Sequence, residues 1–237
     1  AEGRFNRFIQ GQEPISGLLP LTHITRAYSF DDMLSRNNLE PQRCDVFKEQ
    51  LIYLFYGRPA YRAKDGNNAR LEFDWPIVFI FDPNKVGKIK RIFPFDTGAF
   101  AEEFYESFFH SESQIEDFAV DSNLESAQKI VGTFYLDNAE YLIGGSRKNV
   151  EIPHRQFEVQ GVFEMARNPS VPEERPEGSI RDERSSTIEM QVDRELDLVR
   201  ALIAIVLPGP YLDDDDVRGA VARWNPQIIE TYQTLHN

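Results

Sequence analysis

Apolar runs and alternating patterns predict β-strands toward both ends of the chain. Pro76–Phe81 is an uninterrupted apolar run closed by Asp82 and Pro83, which is typical of a buried strand. In residues 186–192, Ile188, Met190 and Val192 alternate with polar residues, which predicts a half-buried strand with one polar face. Further strands are predicted at 18–25, 88–95, 199–207 and 228–235.

Helical spacing of apolar residues is concentrated in the middle of the chain. Aromatic residues at positions 100, 104, 105, 108 and 109 predict one helix, and the apolar residues of 124–134 predict another. A similar spacing over 46–56 predicts an amphipathic helix that ends at Gly57 and Pro59. Ser29, three residues before Asp32, resembles a capping-box helix start. The acidic run 213–216 is typical of the first turn of a short helix.

Together these patterns predict a single strand-rich α+β domain over residues 1–237, with a helical insertion at about 98–166. Residues 168–185 hold three prolines and eight charges, which predicts an exposed, mobile loop.

Composition narrows the class of protein. With 237 residues, of which 41% are hydrophobic, the chain is long enough to bury a substantial core. A single cysteine excludes an internal disulfide framework and a cysteine-rich zinc site. No signal segment is recognised, so a cytoplasmic location is expected. The net charge of −13 disfavours broad coating of nucleic acid but not a local basic groove.

Two segments near the N-terminus combine residue types that bind nucleotides. On a strand, His23 and Thr25 point to the same side about 7 Å apart, as two hydrogen-bonding groups suited to a sugar diol. Residues 53–62 carry aromatic rings that stack on heterocycles and arginines that bind a pyrophosphate, namely Tyr53, Tyr56, Tyr61, Arg58 and Arg62. A polar strand edge and a helix end with core aromatics are the plainer interpretations of these two segments.

Glu189 is the strongest single candidate for a catalytic residue. It follows the predicted mobile loop on a predicted strand, where a fixed carboxylate can stabilise a developing oxocarbenium ion or bind a ribose hydroxyl. An outward-facing strand glutamate is the alternative.

For the run 213–216, a solvated helix start explains four adjacent aspartates better than a metal site does, and no metal site is predicted.

Taken in order, these motifs resemble a known family. His23-Ile24-Thr25 resembles the H-x-T that opens the ADP-ribosyltransferase fold of the diphtheria-toxin and PARP-like branch. Residues 55–61 (FYGRPAY) resemble the F-Y-F-x-x-R-S-P-M-x-Y stretch of DarT-type DNA-modifying toxins, although Arg58-Pro59 stands where that stretch has Ser-Pro. Residues 168–185 resemble the target-recognition loop of that family, and Glu189 resembles the catalytic glutamate that follows it.

The resemblance implies a fold, a substrate and residue roles. It implies split antiparallel sheets around a cleft for NAD, which is consumed as a substrate, and a mono-ADP-ribosyltransferase of the bacterial toxin or defence-effector kind. His23 and Thr25 would bind the adenosine-side ribose and backbone, and Tyr56 or Tyr61 would stack on nicotinamide. Tyr53 would be a further NAD-binding residue. The catalytic pair would be Glu189 and Arg58, with Arg58 or Arg62 at the pyrophosphate. Arg184 and Arg181 would meet a macromolecular acceptor, nucleic acid or protein.

Two other functions fit the same sequence. An NAD glycohydrolase would use the same residues with water as the acceptor. A non-catalytic acidic module would bind a basic partner and would not bind NAD.

Overall fold

The computed structural model describes residues 3–60, 71–147, 149–167 and 183–233. The strands of this part are β1 (Leu21–Arg26), β2 (Asn38–Leu39), β3 (Gln42–Arg43), β4 (Gln50–Tyr56), β5 (Pro76–Phe81), β6 (Arg91–Phe93), β7 (Glu189–Val192), β8 (Leu196–Asp197), β9 (Leu202–Pro208) and β10 (Ile228–Tyr232). Its α-helices are α1 (Arg4–Gln10), α2 (Ala27–Leu34), α3 (Thr97–Ala101), α4 (Leu124–Phe134), α5 (Asn138–Ile143), α6 (Phe157–Arg167), α7 (Leu198–Ala201) and α8 (Asp215–Trp224). Short 3₁₀ helices cover Glu72–Asp74, Ile115–Phe118, Glu183–Ser186 and Gly209–Asp213.

One large sheet organises the described residues, in the strand order β10-β9-β5-β1-β4-β7-β6, with β3 paired to β4. Its pairs are antiparallel, apart from the parallel pair of β9 and β10. Strands β2 and β8 form a separate two-stranded sheet. The predicted α+β class is therefore confirmed, as are the predicted strands at Pro76–Phe81 and near residue 228.

Helices cover the sheet on one face through aromatic contacts. Phe79 of β5 lies 6.0 Å from Phe30 of α2 and 5.9 Å from Trp224 of α8, measured between ring centroids. All three side chains are buried, and each contributes about 1.5–3 kcal/mol through burial.

A second packed layer joins the N-terminal helix to the middle of the chain. Phe5 of α1 stacks on Phe134 of α4, with ring centroids 6.4 Å apart. The predicted helix over 124–134 is confirmed, and its apolar residues Ala127, Ile130 and Val131 are buried as the spacing requires.

The helix predicted over 46–56 is wrong, because Gln50–Tyr56 is strand β4. β4 lies between β1 and β7 inside the sheet, so most of its side chains on both faces are buried. A strand buried on both faces loses the period-two alternation, and its apolar residues then imitate helical spacing.

The aromatic residues of 100–109 do not form one helix either. Helix α3 ends at Ala101, and Glu103 adopts a left-handed backbone with φ of 63° that breaks the helical path. Phe109 then packs on Phe118 at 4.5 Å and on Phe95 at 5.5 Å between ring centroids. These aromatic rings form a cluster between segments, not a stripe on one helix.

Two predicted boundaries are also corrected. Helix α2 begins at Ala27, directly after β1, and the N–H of Ala27 donates to the carbonyl of Trp75 at 2.8 Å, so Ser29 is not its N-cap. The strand predicted from residue 199 begins at Leu202, because Asp197 caps the short helix α7 by accepting from the N–H of Arg200.

The acidic run at 213–216 is a helix start, as predicted. Asp214 is the N-cap of α8 and accepts hydrogen bonds from the N–H groups of Asp216 and Val217.

Of the predicted mobile loop, residues 168–182 lie outside the described part of the chain. Within the part that the structure covers, no helix is both long enough and apolar enough to cross a membrane.

Candidate active site

A cleft opens where β1 separates from its neighbour β4. β1 pairs with β5 at six successive positions but with β4 only at Leu21↔Tyr56 and Thr22↔Phe55. Beyond Thr22 the two strands are no longer paired, and a cavity of about 1010 Å³ lies there. The strand residues that line it are Ile24, Thr25, Arg26, Arg43, Tyr53, Phe55, Pro76 and Glu189.

Glu189 lies on the wall of this cleft, at the first position of β7. The N–H of Thr97 donates to its Oε2 at 2.8 Å, and the hydroxyl of Thr97 donates to its Oε1 at 2.8 Å. The amide Nε2 of Gln191 donates to Oε1 at 2.7 Å. An ionised carboxylate has about four acceptor positions, so three donors leave one position for a ligand.

The polar face of β7 is buried, which corrects the prediction of a half-buried strand. Glu189 is 1% exposed, and Thr187 and Gln191 are fully buried. The first turn of α3 covers this face, since Thr97 contacts both Glu189 and Gln191.

Burial raises the pKa of Glu189 to about 8, and the nearby charge of Asp96 adds to the rise. The three hydrogen bonds from Gln191 and Thr97 act in the opposite direction. Asp96 itself lines the cleft and is the N-cap of α3, accepting from the N–H of Ala99 at 2.8 Å. Among the carboxyl groups that line the cleft, Glu189 is thus one that changes its charge near neutral pH.

Tyr53 lies on the same face of the sheet as Glu189, because it is directly opposite Gln191 in the β4–β7 pair. Its hydroxyl lies 2.6 Å from the Sγ of Cys44, another residue of the cleft wall. Burial, this hydrogen bond and the charge of Glu189 raise the pKa of Tyr53 well above its usual value. The ring is thus a neutral aromatic surface beside the carboxylate.

His23 lies beside the cleft and is not among its lining residues, whereas Thr25 is. The Nδ1 of His23 lies 2.9 Å from the carbonyl oxygen of Tyr53. A carbonyl only accepts, so Nδ1 carries the proton and Nε2 is left as an acceptor. Burial lowers the pKa of His23, which keeps the ring neutral. His23 thus bridges β1 and β4 where their pairing ends.

Tyr56 and Arg58 point away from the cleft. The hydroxyl of Tyr56 accepts from the N–H of Leu19 at 3.1 Å. Arg58 is buried and donates to the carbonyl oxygen and the hydroxyl of Ser186 at 2.6 and 2.5 Å. Its guanidinium also lies 4.9 Å from the ring centroid of Tyr141. The structure therefore brings Glu189, Thr25 and Tyr53 to one cleft, with His23 beside it, but not Tyr56 or Arg58.

The other predicted site residues are not placed by the described part of the chain. Tyr61, Arg62 and Arg181 lie outside it, and Arg184 lies in the 3₁₀ helix Glu183–Ser186 without a described side chain.

Sequence reasoning missed several residues of the cleft. Thr97 and Asp96 follow a buried strand, but nothing in their spacing pointed to a site. Gln191 shares the period-two face of Glu189, a signal that was visible in the sequence. Arg43 is exposed on the cleft wall. No carboxylate of the described residues lies within ion-pair distance of Arg43, whereas Arg26, which also lines the cleft, pairs with Asp74 at 3.1 Å.

The described residues contain no group of three or more His, Cys, Asp or Glu side chains able to hold a metal ion. No family model, curated protein or solved structure matches this chain. Any assignment of function therefore depends on the chemistry of the cleft and on the motif resemblance.

Proposed function

We propose that this protein is a mono-ADP-ribosyltransferase that cleaves NAD in the β1–β4 cleft and transfers ADP-ribose to a macromolecular acceptor. One observation carries the proposal. The carboxylate of Glu189 is fixed by Thr97 and Gln191 on the wall of a cleft of about 1010 Å³. A preorganised anion in a buried position is the group that glycosidic cleavage through an oxocarbenium-like state requires.

The residues around Glu189 have chemistry that suits a dinucleotide. The Tyr53 ring presents an aromatic surface for nicotinamide, and the Thr25 hydroxyl supplies a hydrogen-bonding group for a ribose. Arg43 supplies an unpaired cation among the described residues for the pyrophosphate, a role that the motif resemblance assigns to Arg58 or Arg62. Arg58 instead holds Ser186, three residues before Glu189.

The proposed reaction breaks the bond between C1′ of the ribose and N1 of nicotinamide. The electron pair of that bond leaves with nicotinamide, which becomes neutral, and positive charge develops at the ribose. The remaining acceptor position of Glu189 binds the ribose 2′-hydroxyl, and its charge stabilises the developing cation. The acceptor then forms a bond to C1′ and gives up its proton, for which Glu189 is the nearest base.

The acceptor is proposed as a class only. The net charge of −13 includes the acidic run 213–216, which does not line the cleft. The net charge of the chain therefore does not decide between a nucleic acid and a protein as the acceptor. Arg181 and Arg184, which precede Glu189 in the sequence, are the proposed acceptor contacts.

The fate of the ADP-ribose tests the proposal. The protein is incubated with NAD labelled on the adenine, together with oligonucleotides or total cell protein, and the label is followed by mass spectrometry. Transfer predicts a mass gain of one ADP-ribose on nucleic acid or on protein. Free ADP-ribose with no modified macromolecule would mean that the protein is an NAD glycohydrolase. Unchanged NAD would favour a non-catalytic acidic binding module.

A further inference from the structure

Glu189 is connected to the protein surface through a continuous line of polar contacts. Gln191, which donates to Glu189, is fully buried and lies directly opposite Arg91 in the β6–β7 pair. Arg91 Nη1 donates to the Oε1 of Gln191 at 3.0 Å, and its Nη2 donates to the Oε1 of Glu49 at 2.7 Å. The side chains of Arg91 and Glu49 are 25% and 36% exposed, so the line begins in solvent and ends in the cleft.

The direction of the Gln191 amide matters to Glu189. A glutamine amide has an oxygen end that accepts and a nitrogen end that donates, and the two ends differ little in shape. Only the nitrogen end stabilises an ionised carboxylate, whereas the oxygen end repels it.

Arg91 removes this ambiguity, because a guanidinium has donors and no acceptor. The amide oxygen must face Arg91, and the amide nitrogen is thereby turned toward Glu189. Arg91 is itself held in place by Glu49 and by the ring of Phe47, whose centroid lies 4.5 Å from the guanidinium carbon.

We infer that Arg91 is a positioning residue for the carboxylate of Glu189, acting through the amide of Gln191 without touching the cleft. This inference rests on the proposed function for its catalytic meaning, but the contacts themselves can be tested without NAD.

The groups that face Glu189 from the neighbouring elements are few. Within the described residues, Asp96 faces it from the segment before α3 and Tyr53 from β4, in addition to the donors Thr97 and Gln191. Loss of Arg91 leaves these groups in place, so its effect on the titration of Glu189 reports on the line through Gln191.

A matched control stands next to Arg91 in the sequence. Lys90 also pairs with Glu49, at 2.5 Å, and with Asp193 at 3.1 Å. Its side chain has no described hydrogen bond to Gln191. Arg91→Met and Lys90→Met therefore each remove one cation from the same surface. Only Arg91→Met also removes the hydrogen bond to the amide oxygen of Gln191.

The test is the titration of the Glu189 carboxyl group, followed through the ¹³C chemical shift of its carboxyl carbon in the 237-residue chain. Arg91→Met is expected to raise the midpoint by roughly half a pH unit or more, since the Gln191 amide is no longer held with its nitrogen toward the ionised carboxylate. Lys90→Met is expected to leave the midpoint near that of the wild type. In a Gln191→Leu background, Arg91→Met is expected to add no further shift, because its effect passes through the amide.

An equal shift in Arg91→Met and Lys90→Met, no shift in Arg91→Met, or additive shifts in the double variant would overturn the inference. If Arg91→Met does not fold, Arg91→Gln replaces the guanidinium by an amide that both donates and accepts and so no longer fixes the direction of the Gln191 amide. Its midpoint is expected above that of the wild type, and an unchanged midpoint would contradict the inference. Failure of the wild type to release nicotinamide would instead overturn the proposed function and leave the titration result intact.

Discussion

At the scale of single residues, the properties of Glu189 follow from what surrounds its carboxyl group. Burial and the charge of Asp96 favour the protonated form, and the donors from Thr97 and Gln191 favour the ionised form. The balance raises the pKa of Glu189 to about 8. The carboxyl group that the proposed reaction needs as an anion is therefore mostly protonated at pH 7.

We expect the kcat/KM for NAD cleavage to rise with pH and to reach half its maximum near pH 8, as Glu189 loses its proton. Asp96→Asn is expected to move this midpoint to lower pH, because a like charge is removed while the amide oxygen still caps α3. Initial rates over pH 5.5–9.5 check the expectation. Asp45→Asn is the control, since Asp45 lines the cleft with a side chain that is 93% exposed and screened by water. An unchanged midpoint in Asp96→Asn would contradict this explanation of the shifted pKa.

The same raised pKa has a consequence for stability. Between the pKa of an unfolded glutamate, near 4.5, and about 8, the folded protein binds more protons at this position than the unfolded chain does. The contribution of Glu189 to the free energy of unfolding is thus fully present at low pH and is lost as the pH rises toward 8. The site is arranged at some cost to the fold.

At the scale of elements, the predictions succeeded where the local pattern admits one interpretation. Such patterns are the helical spacing of α4, the acidic start of α8 and the uninterrupted apolar run of β5. The strand β4 was misread because it is buried on both faces. The hydrogen bonds from Thr97 to Glu189 join residues 92 positions apart in the sequence. No local pattern in the sequence indicates such a contact.

The turn after β4 contains a glycine whose backbone conformation and surroundings do not suit a side chain. Gly57 has a left-handed φ of 73°, and a Cβ at this position would lie 2.6 Å from the Cδ1 of Leu19. Gly57→Ala is expected to reduce the free energy of unfolding by about 1–3 kcal/mol through strain and overpacking. Urea denaturation measures the change.

Gly219→Ala provides the comparison for that substitution. Gly219 lies in α8 with its nearest contact, Arg223 Nη1, 3.6 Å from an added Cβ, so alanine is expected to stabilise the helix by about 0.5–1 kcal/mol. Equal effects of the two substitutions would show that the left-handed turn at Gly57 is not required.

At the scale of the whole molecule, the cleft is a product of strand pairing. β1 pairs with β5 along its full length but with β4 at two positions only. The folded sheet brings Thr25, Tyr53 and Glu189 to the wall of one cleft. The sequence indicated these residues individually. Their convergence depends on register, which a single chain does not reveal.

NAD binding in this cleft predicts a thermal shift. NAD at about 100 times its Kd is expected to stabilise the folded protein by about 2.7 kcal/mol, which raises Tm by about 2–4 °C per kcal/mol. Ala101→Trp is expected to abolish the shift, because Ala101 is exposed on the cleft wall and a large ring there fills the space. Ala139→Trp, at an exposed position of α5 that does not line the cleft, is expected to retain it. A shift that survives Ala101→Trp would place NAD elsewhere.

The central claim is that Glu189 drives the cleavage of NAD, and the rate of nicotinamide release tests it most directly. Wild-type protein, Glu189→Gln and the exposed control Glu195→Gln are compared at pH 8.5, where Glu189 is largely ionised. We predict that Glu189→Gln releases nicotinamide roughly 100-fold more slowly, as expected when a transition-state contact is lost, and that Glu195→Gln matches the wild type. Nicotinamide release by Glu189→Gln at the rate of the wild type would contradict the account.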